Sequence, residues 1–201
     1  MRATPIAAWA VETEESVEEA VALARADARL SHPNPICQDC NAIYVYAIYG
    51  LLQGHCPQDV LQRVTAWIDR DDASPIHDRV KQWFHEESLD IQDMVATDLA
   101  GHVRWAFVLS MYFLRHPEIS YEDAIRLTLR KGGDTDTNAA IVGGMVAAYQ
   151  PIPRWMLEPV LTFDAPSAGR SMQCDQSGVT RSVAGRMRPA VYCPKYVLKM
   201  E

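Results

Sequence analysis

The chain has 201 residues, 48% of them apolar, with a formal net charge of −7. That is enough for the core of one ordinary domain and is not a disordered composition, while the acidic balance argues against broad nucleic-acid binding. The charge is uneven: residues 165–201 hold Arg170, Arg181, Arg186, Arg188, Lys195 and Lys199 against Asp175 and Glu201, a net of +4, so residues 1–164 carry −11 of the total of −7.

Arg2 is followed by Ala-Thr-Pro rather than a secretory pattern. The longest apolar run, Val103 to Leu114, is too short to cross a bilayer and contains Arg104. Five cysteines, an odd number, without a secretory context point to a reducing compartment. The expectation is a cytoplasmic protein with neither a membrane nor a nucleic acid as partner.

Helical periodicity dominates the chain. Val17, Ala20, Val21, Ala24 and Ala28 repeat at helical spacing, with Ser16 and Glu19 forming a capping box. A second helix is expected to start near Gln38, after Pro33 and Pro35, and to run to about Gln53 with Ala42, Val45, Tyr46 and Tyr49 inward. Pro57 opens a third through Val60, Val64, Trp67 and Ile68. Residues 69–77 read as a polar loop, with Asp71-Asp72 a solvated charge cluster, and Arg79 to Glu86 as a short helix. Val103 to Leu114 is apolar on nearly every side, which predicts a buried central helix. Ser120 and Asp123 start another, ending at Gly132. From about Thr135 to Tyr149 the chain is rich in small residues, including Ala139, Ala140, Gly143 and Gly144, which let neighbouring backbones approach; Pro151 and Pro153 end it. No segment alternates with period two, so the fold class is all-α. Trp67, Trp83, Trp105 and Trp155 are read as core. After Ala165 the pattern fades into an irregular basic segment, with Lys195 to Lys199 a short terminal helix; the expected domain is 1–164, followed by a tail, 165–201.

The most informative stretch is Gly132-Gly133-Asp134-Thr135-Asp136-Thr137. Carboxylates two residues apart lie about 200° apart around a regular helix. They converge only on the turn entering one, which two glycines permit. With the Thr137 hydroxyl they form a set of hard oxygen ligands suited to Mg²⁺. Simple capping of the following helix explains one aspartate equally well, and the residues alone leave both readings open.

Gly132 to Tyr149 resembles the C-terminal signature of the ADP-ribosylglycohydrolases. Ser31-His32-Pro33-Asn34-Pro35 looks like that family's histidine-proline segment, Gly101-His102-Val103 like its glycine loop before a long buried helix, and Ile152-Pro153 with Trp155 like the segment after the signature. Arg188-Pro189 near Tyr192 is a weaker match. The resemblance covers most of residues 1–164 and implies a compact multi-helix orthogonal bundle. It implies Asp134, Asp136 and Thr137 as ligands of Mg²⁺ or Mn²⁺, and His32, Gly101 and His102 as contacts to an ADP-ribose-type nucleotide or ADP-ribosylated protein. Read alone, His32 could equally bond backbone within its loop, and His102 could simply start a helix.

The family also carries a Thr-Asp-Asp motif that supplies further acidic ligands, and this sequence has none; Met1-Arg2 resembles the interior of a family motif, so the chain reads as N-terminally truncated. A single turn can hold one cation at most, so a competent site is expected to need a complementing N-terminal fragment or a homodimer. Two functions follow: metal-dependent hydrolysis at the anomeric carbon of ADP-ribose conjugates, incomplete in this chain alone, or a non-catalytic ADP-ribose-binding or regulatory remnant. Cys37 and Cys40, a Cys-x-x-Cys without a second pair, are read as free thiols, and the arginines at 170, 181, 186 and 188 as a solvated run.

Overall fold

The structure is a computed structural model that describes residues 2–70, 76–86, 91 and 94–162. Among these residues it contains nine α-helices and no strand, as the periodicity predicts. Two compact units divide the chain, Met1–Gln150 and Pro151–Glu201.

The first unit is built around α3, Pro35–Leu52, which packs on α1 (Thr4–Glu12), α2 (Val17–Arg29), α4 (Pro57–Ile68), α5 (Asp78–His85), α6 (Val103–Arg115) and α8 (Thr135–Ala147). A helix contacted from so many directions must be apolar around most of its circumference, and Ala42, Ile43, Val45, Ala47 and Ile48 are all buried. Of the expected inner face, Ala42 and Val45 are buried while Tyr46 and Tyr49 are half-buried. Tyr46 stacks on Trp67 of α4 with ring centroids 5.1 Å apart. The second central helix, α6, is buried from Ala106 to Leu114 apart from Tyr112 and packs on α8. α7 (Tyr121–Arg130) pairs with α8.

The capping box at Ser16 is present: the Glu19 N–H donates to Ser16 Oγ and the Ser16 N–H donates to Glu19 Oε2. α3 starts three residues earlier than expected, because Asn34 Oδ1 accepts from the Ile36 N–H at 2.9 Å and Pro35 occupies the first helical position. Proline there starts a helix instead of breaking one. α1 was not expected from the sequence. It buries alanines, Ala7 and Ala10, whose small faces give no strong apolar stripe.

Among the described residues of this unit, one charged group lies deep. Asp39 is 7% exposed, accepts from Arg25 Nη2 at 2.9 Å and from the His77 N–H at 2.9 Å, and so ties α2, α3 and the approach to α5 together. Removing one partner of such a pair leaves the other charge uncompensated, a loss of about 3 kcal/mol or more.

In the second unit the described part contains α9, Arg154–Leu161, a further helix beyond those expected, with Pro159 inside it. Trp155 is 59% exposed, which corrects its reading as core; Trp83 is buried, and Trp67 and Trp105 are half-buried. Asp71-Asp72, the basic run from Arg170 to Arg188, the Lys195 to Lys199 segment and the expected boundary at 164/165 lie outside the described residues. No helix among the described residues is long and apolar enough to cross a membrane.

Candidate functional site

α7 ends at Arg130 and the chain must turn into α8 within four residues. Gly132 and Gly133 make the turn with φ of +73° and +70°, a region that costs an L-residue about 1–2 kcal/mol. A Cβ on Gly133 would also lie 2.0 Å from the Ala96 carbonyl oxygen. The segment before Gly101 is laid against the turn, and the Ala96 N–H donates to the Lys131 carbonyl at 2.9 Å. The glycines therefore fix both the direction of the aspartates and the seat of the loop beside them.

Asp134 is the N-cap residue of α8, yet its side chain makes no capping hydrogen bond. Asp136, on the first turn, is exposed. Its carboxyl is held below the usual carboxylate range, first by a hydrogen bond with the Asp134 carboxyl and then by the N–H groups of Thr137 and of Asp136 itself. Capping thus accounts for part of Asp136 and not for Asp134. Two carboxyls in contact repel when both are ionised, unless a proton or a cation lies between them. Hard oxygens on a rigid turn, one of them uncommitted to the helix, are a donor set that fits a divalent cation. Among the described residues there is no group of three or more His, Cys, Asp or Glu side chains placed to hold a metal, so the described part of the turn offers two carboxylates and a hydroxyl only.

Beside the turn lies a cavity of about 470 Å³, within the usual range for small-ligand sites. Four helices wall it. α3 contributes Cys37, Cys40, Asn41 and Tyr44, and the start of α8 contributes Asp134, Thr137, Asn138 and Ile141. Each set follows the i, i+3, i+4, i+7 spacing of one helical face. The start of α6 adds Gly101, His102, Val103, Ala106 and Phe107, and the end of α2 adds Asp27, Ala28, Ser31 and His32. First turns of α3, α6 and α8 therefore border the space, and their positive dipole ends favour an anionic ligand.

Of the six residues singled out in the sequence, His32, Gly101, His102, Asp134 and Thr137 line this cavity, and Asp136 stands outside its lining in contact with Asp134. His32 is exposed, with Nδ1 2.9 Å from Ser31 Oγ. His102 is the N-cap residue of α6: its Nδ1 accepts from the Arg104 N–H at 3.2 Å, which requires a neutral ring with its proton on Nε2. The ring lies nearly perpendicular to that of Trp83, with centroids 5.7 Å apart.

Several lining residues were not anticipated. Arg2 closes one side, donating from Nε to Asp27 Oδ2 at 2.8 Å and from Nη2 to the Asp27 carbonyl and Ser31 Oγ. It neutralises Asp27 and caps the negative end of α2. Cys37 and Cys40 are free and both face the cavity. Burial raises both thiols, Cys40 strongly, so they stay protonated near neutral pH. That is the state of packing residues rather than of nucleophiles. The detectable signal in the sequence was the helical spacing of Cys37, Cys40, Asn41 and Tyr44, visible once the start of α3 is known.

Among known families, the model described as ADP-ribosylglycohydrolase matches residues 1–177. Neither a curated protein nor a solved structure gives a significant match.

Proposed function

The chain belongs to the ADP-ribosylglycohydrolase family, and from that premise we propose that it serves the metal-dependent hydrolysis of the glycosidic bond in ADP-ribose conjugates. The observation that carries this reading is that Asp134, whose side chain makes no cap on α8, lines a 470 Å³ cavity together with Thr137. Asp134, Asp136 and Thr137 would hold Mg²⁺ or Mn²⁺. A divalent cation there supplies charge stabilisation and a bound water of lowered pKa. The chain's own residues do the rest. The helix starts bordering the cavity favour the pyrophosphate of an ADP-ribose-type nucleotide or an ADP-ribosylated protein. His102 and His32 would orient the nucleotide, and the Gly101 segment would border it. The Gly132–Gly133 turn would present the carboxylates to a cation-bound water.

The two carboxylates fall short of a full two-cation set, and the 201 residues contain no Thr-Asp-Asp. The remaining acidic groups would come from a complementing fragment or from a second copy in a homodimer. The same shortfall favours a second reading, an ADP-ribose-binding or regulatory module without turnover. A release assay on a mono-ADP-ribosylated protein separates the two. The chain alone should release little ADP-ribose. Adding a fragment that bears Thr-Asp-Asp should produce release that needs Mg²⁺ or Mn²⁺ and disappears in Asp136→Ala. Robust turnover by the isolated chain in EDTA would contradict the metal role. A stable complex of the two fragments without turnover would favour the binding module.

A further inference from the structure

Two of the three free cysteines among the described residues share one wall of the cavity. Cys37 lies on the first turn of α3 and Cys40 three residues later, so their side chains stand on one helical face. Cys37 is half-buried and Cys40 is 3% exposed. The two thiols are close enough that a charge on Cys37 raises the Cys40 thiol. Packing explains a small buried side chain, but the first unit fills such positions with alanine at Ala20, Ala24, Ala42 and Ala47. Packing gives no reason for two thiols on one face.

We propose that Cys37 and Cys40 are a reversible dithiol–disulfide pair on the cavity wall, in which Cys37 exchanges with a small disulfide of the glutathione class and Cys40 resolves it. The Cys37 thiolate attacks one sulfur of glutathione disulfide, and the first glutathione leaves as a thiolate that takes up the proton Cys37 lost. The Cys40 sulfur then attacks Cys37 Sγ and expels the second glutathione, which takes the Cys40 proton. Two protein thiols are oxidised by two electrons, and one glutathione disulfide is reduced to two thiols. The order follows from exposure: Cys37 meets the oxidant, whereas the target of Cys40 is the neighbouring sulfur, so its burial is no obstacle. Burial holds both thiols protonated at neutral pH. That slows the exchange without preventing it, since the rate follows the thiolate fraction and a more basic thiolate is the better nucleophile.

Helix geometry sets how the bridge closes. Side chains three apart on an α-helix have Cβ atoms about 5–6 Å apart, whereas a disulfide needs about 3.5–4.5 Å. Tightening the turn to 3₁₀ winding eclipses residues three apart and narrows that gap, and such turns are frequent at helix starts. Asn41 Nδ2 already donates to the Cys37 carbonyl at 2.8 Å, so that carbonyl keeps a donor while its backbone partner changes. A bridge formed this way is strained and hence readily reduced. Because Cys37, Cys40 and Asn41 all line the cavity, closing it would tighten one of the cavity walls.

The test incubates the reduced full chain with glutathione disulfide, quenches with acid, alkylates the remaining thiols after denaturation and digests with a protease that cuts before aspartate. The cut between Gln38 and Asp39 separates the two cysteines, so the fragments that carry them stay joined only across a bridge. Joined fragments are expected in the wild type and in Cys56→Ala, and dithiothreitol should release them. In Cys40→Ala, glutathione should remain on Cys37 in place of the bridge. In Cys37→Ala, Cys40 should stay unmodified. The rate of bridging should rise about tenfold per pH unit between about pH 7 and pH 9. Recovery of both cysteines alkylated in the wild type, as for residues that only pack, overturns the proposal. So does a lasting glutathione adduct on Cys37 of the wild type, or a joined pair in Cys40→Ala, which would place the bridge on another cysteine. If alanine at position 40 prevents folding, Cys40→Ser answers the same question.

Discussion

Asp134 and Asp136 are alike in charge and separated by one residue, but their surroundings divide their roles. Asp136 spends its carboxyl on the first N–H groups of α8 and on its neighbour, whereas Asp134 makes no cap and faces the cavity. The sequence could indicate that both converge on a turn, since two glycines precede them. It could not indicate which faces inward, because that depends on the contact between Gly133 and the Ala96 carbonyl, 37 residues earlier in the chain. The importance of that contact is testable. Gly133→Ala would force a Cβ into the Ala96 carbonyl in a backbone region that L-residues avoid. The expected loss in a denaturant titration is about 2 kcal/mol or more. A variant as stable as the wild type would mean that the loop and the turn are not held together as described.

The elements were legible where an apolar stripe stands against polar neighbours, and obscure where the buried face is made of small residues. α2 and α4 show clear stripes and appear where expected. α1 packs through Ala7 and Ala10, so its periodicity is faint. The start of α3 was misplaced because Pro33 and Pro35 read as breakers, although Asn34 and Pro35 together form a helix start. α8 illustrates the opposite case. Its small residues announced close approach, and a Cβ on Gly144 would stand 2.7 Å from Thr4 Oγ1 and 2.8 Å from the Tyr44 hydroxyl. That is the point where α1, α3 and α8 meet, through the Thr4–Tyr44 hydrogen bond of 2.8 Å. Gly144→Ala should therefore separate these helices and destabilise the protein by about 1–3 kcal/mol, although alanine is the better helix former. A thermal midpoint raised by the substitution would show that the helices have room to spare. Because Tyr44 and Ile141 also wall the cavity, the variant should weaken nucleotide binding as well.

At the scale of the molecule, the all-α class and the central helices followed from composition and periodicity, and the cavity did not. Its walls come from the end of α2 and the starts of α3, α6 and α8, segments spread from Arg2 to Ile141 that only the tertiary packing brings together. Motif resemblance pointed to three of these segments as parts of one nucleotide site, but not to the α3 face of Cys37, Cys40, Asn41 and Tyr44 that joins them. Large apolar side chains remain exposed close in sequence to its edge: Leu30 is 81% exposed beside Ser31, and Leu99 is 78% exposed two residues before Gly101.

If one site joins a cation at the turn to a nucleotide in the cavity, each must raise the affinity for the other by the same factor. Calorimetric titration of ADP-ribose into the chain, with and without Mg²⁺, measures that coupling directly. Affinity is expected to be about tenfold or more higher with Mg²⁺ in the wild type, with the same metal-free affinity but no enhancement in Asp134→Ala. Affinity that is identical with and without the cation in both proteins would contradict it.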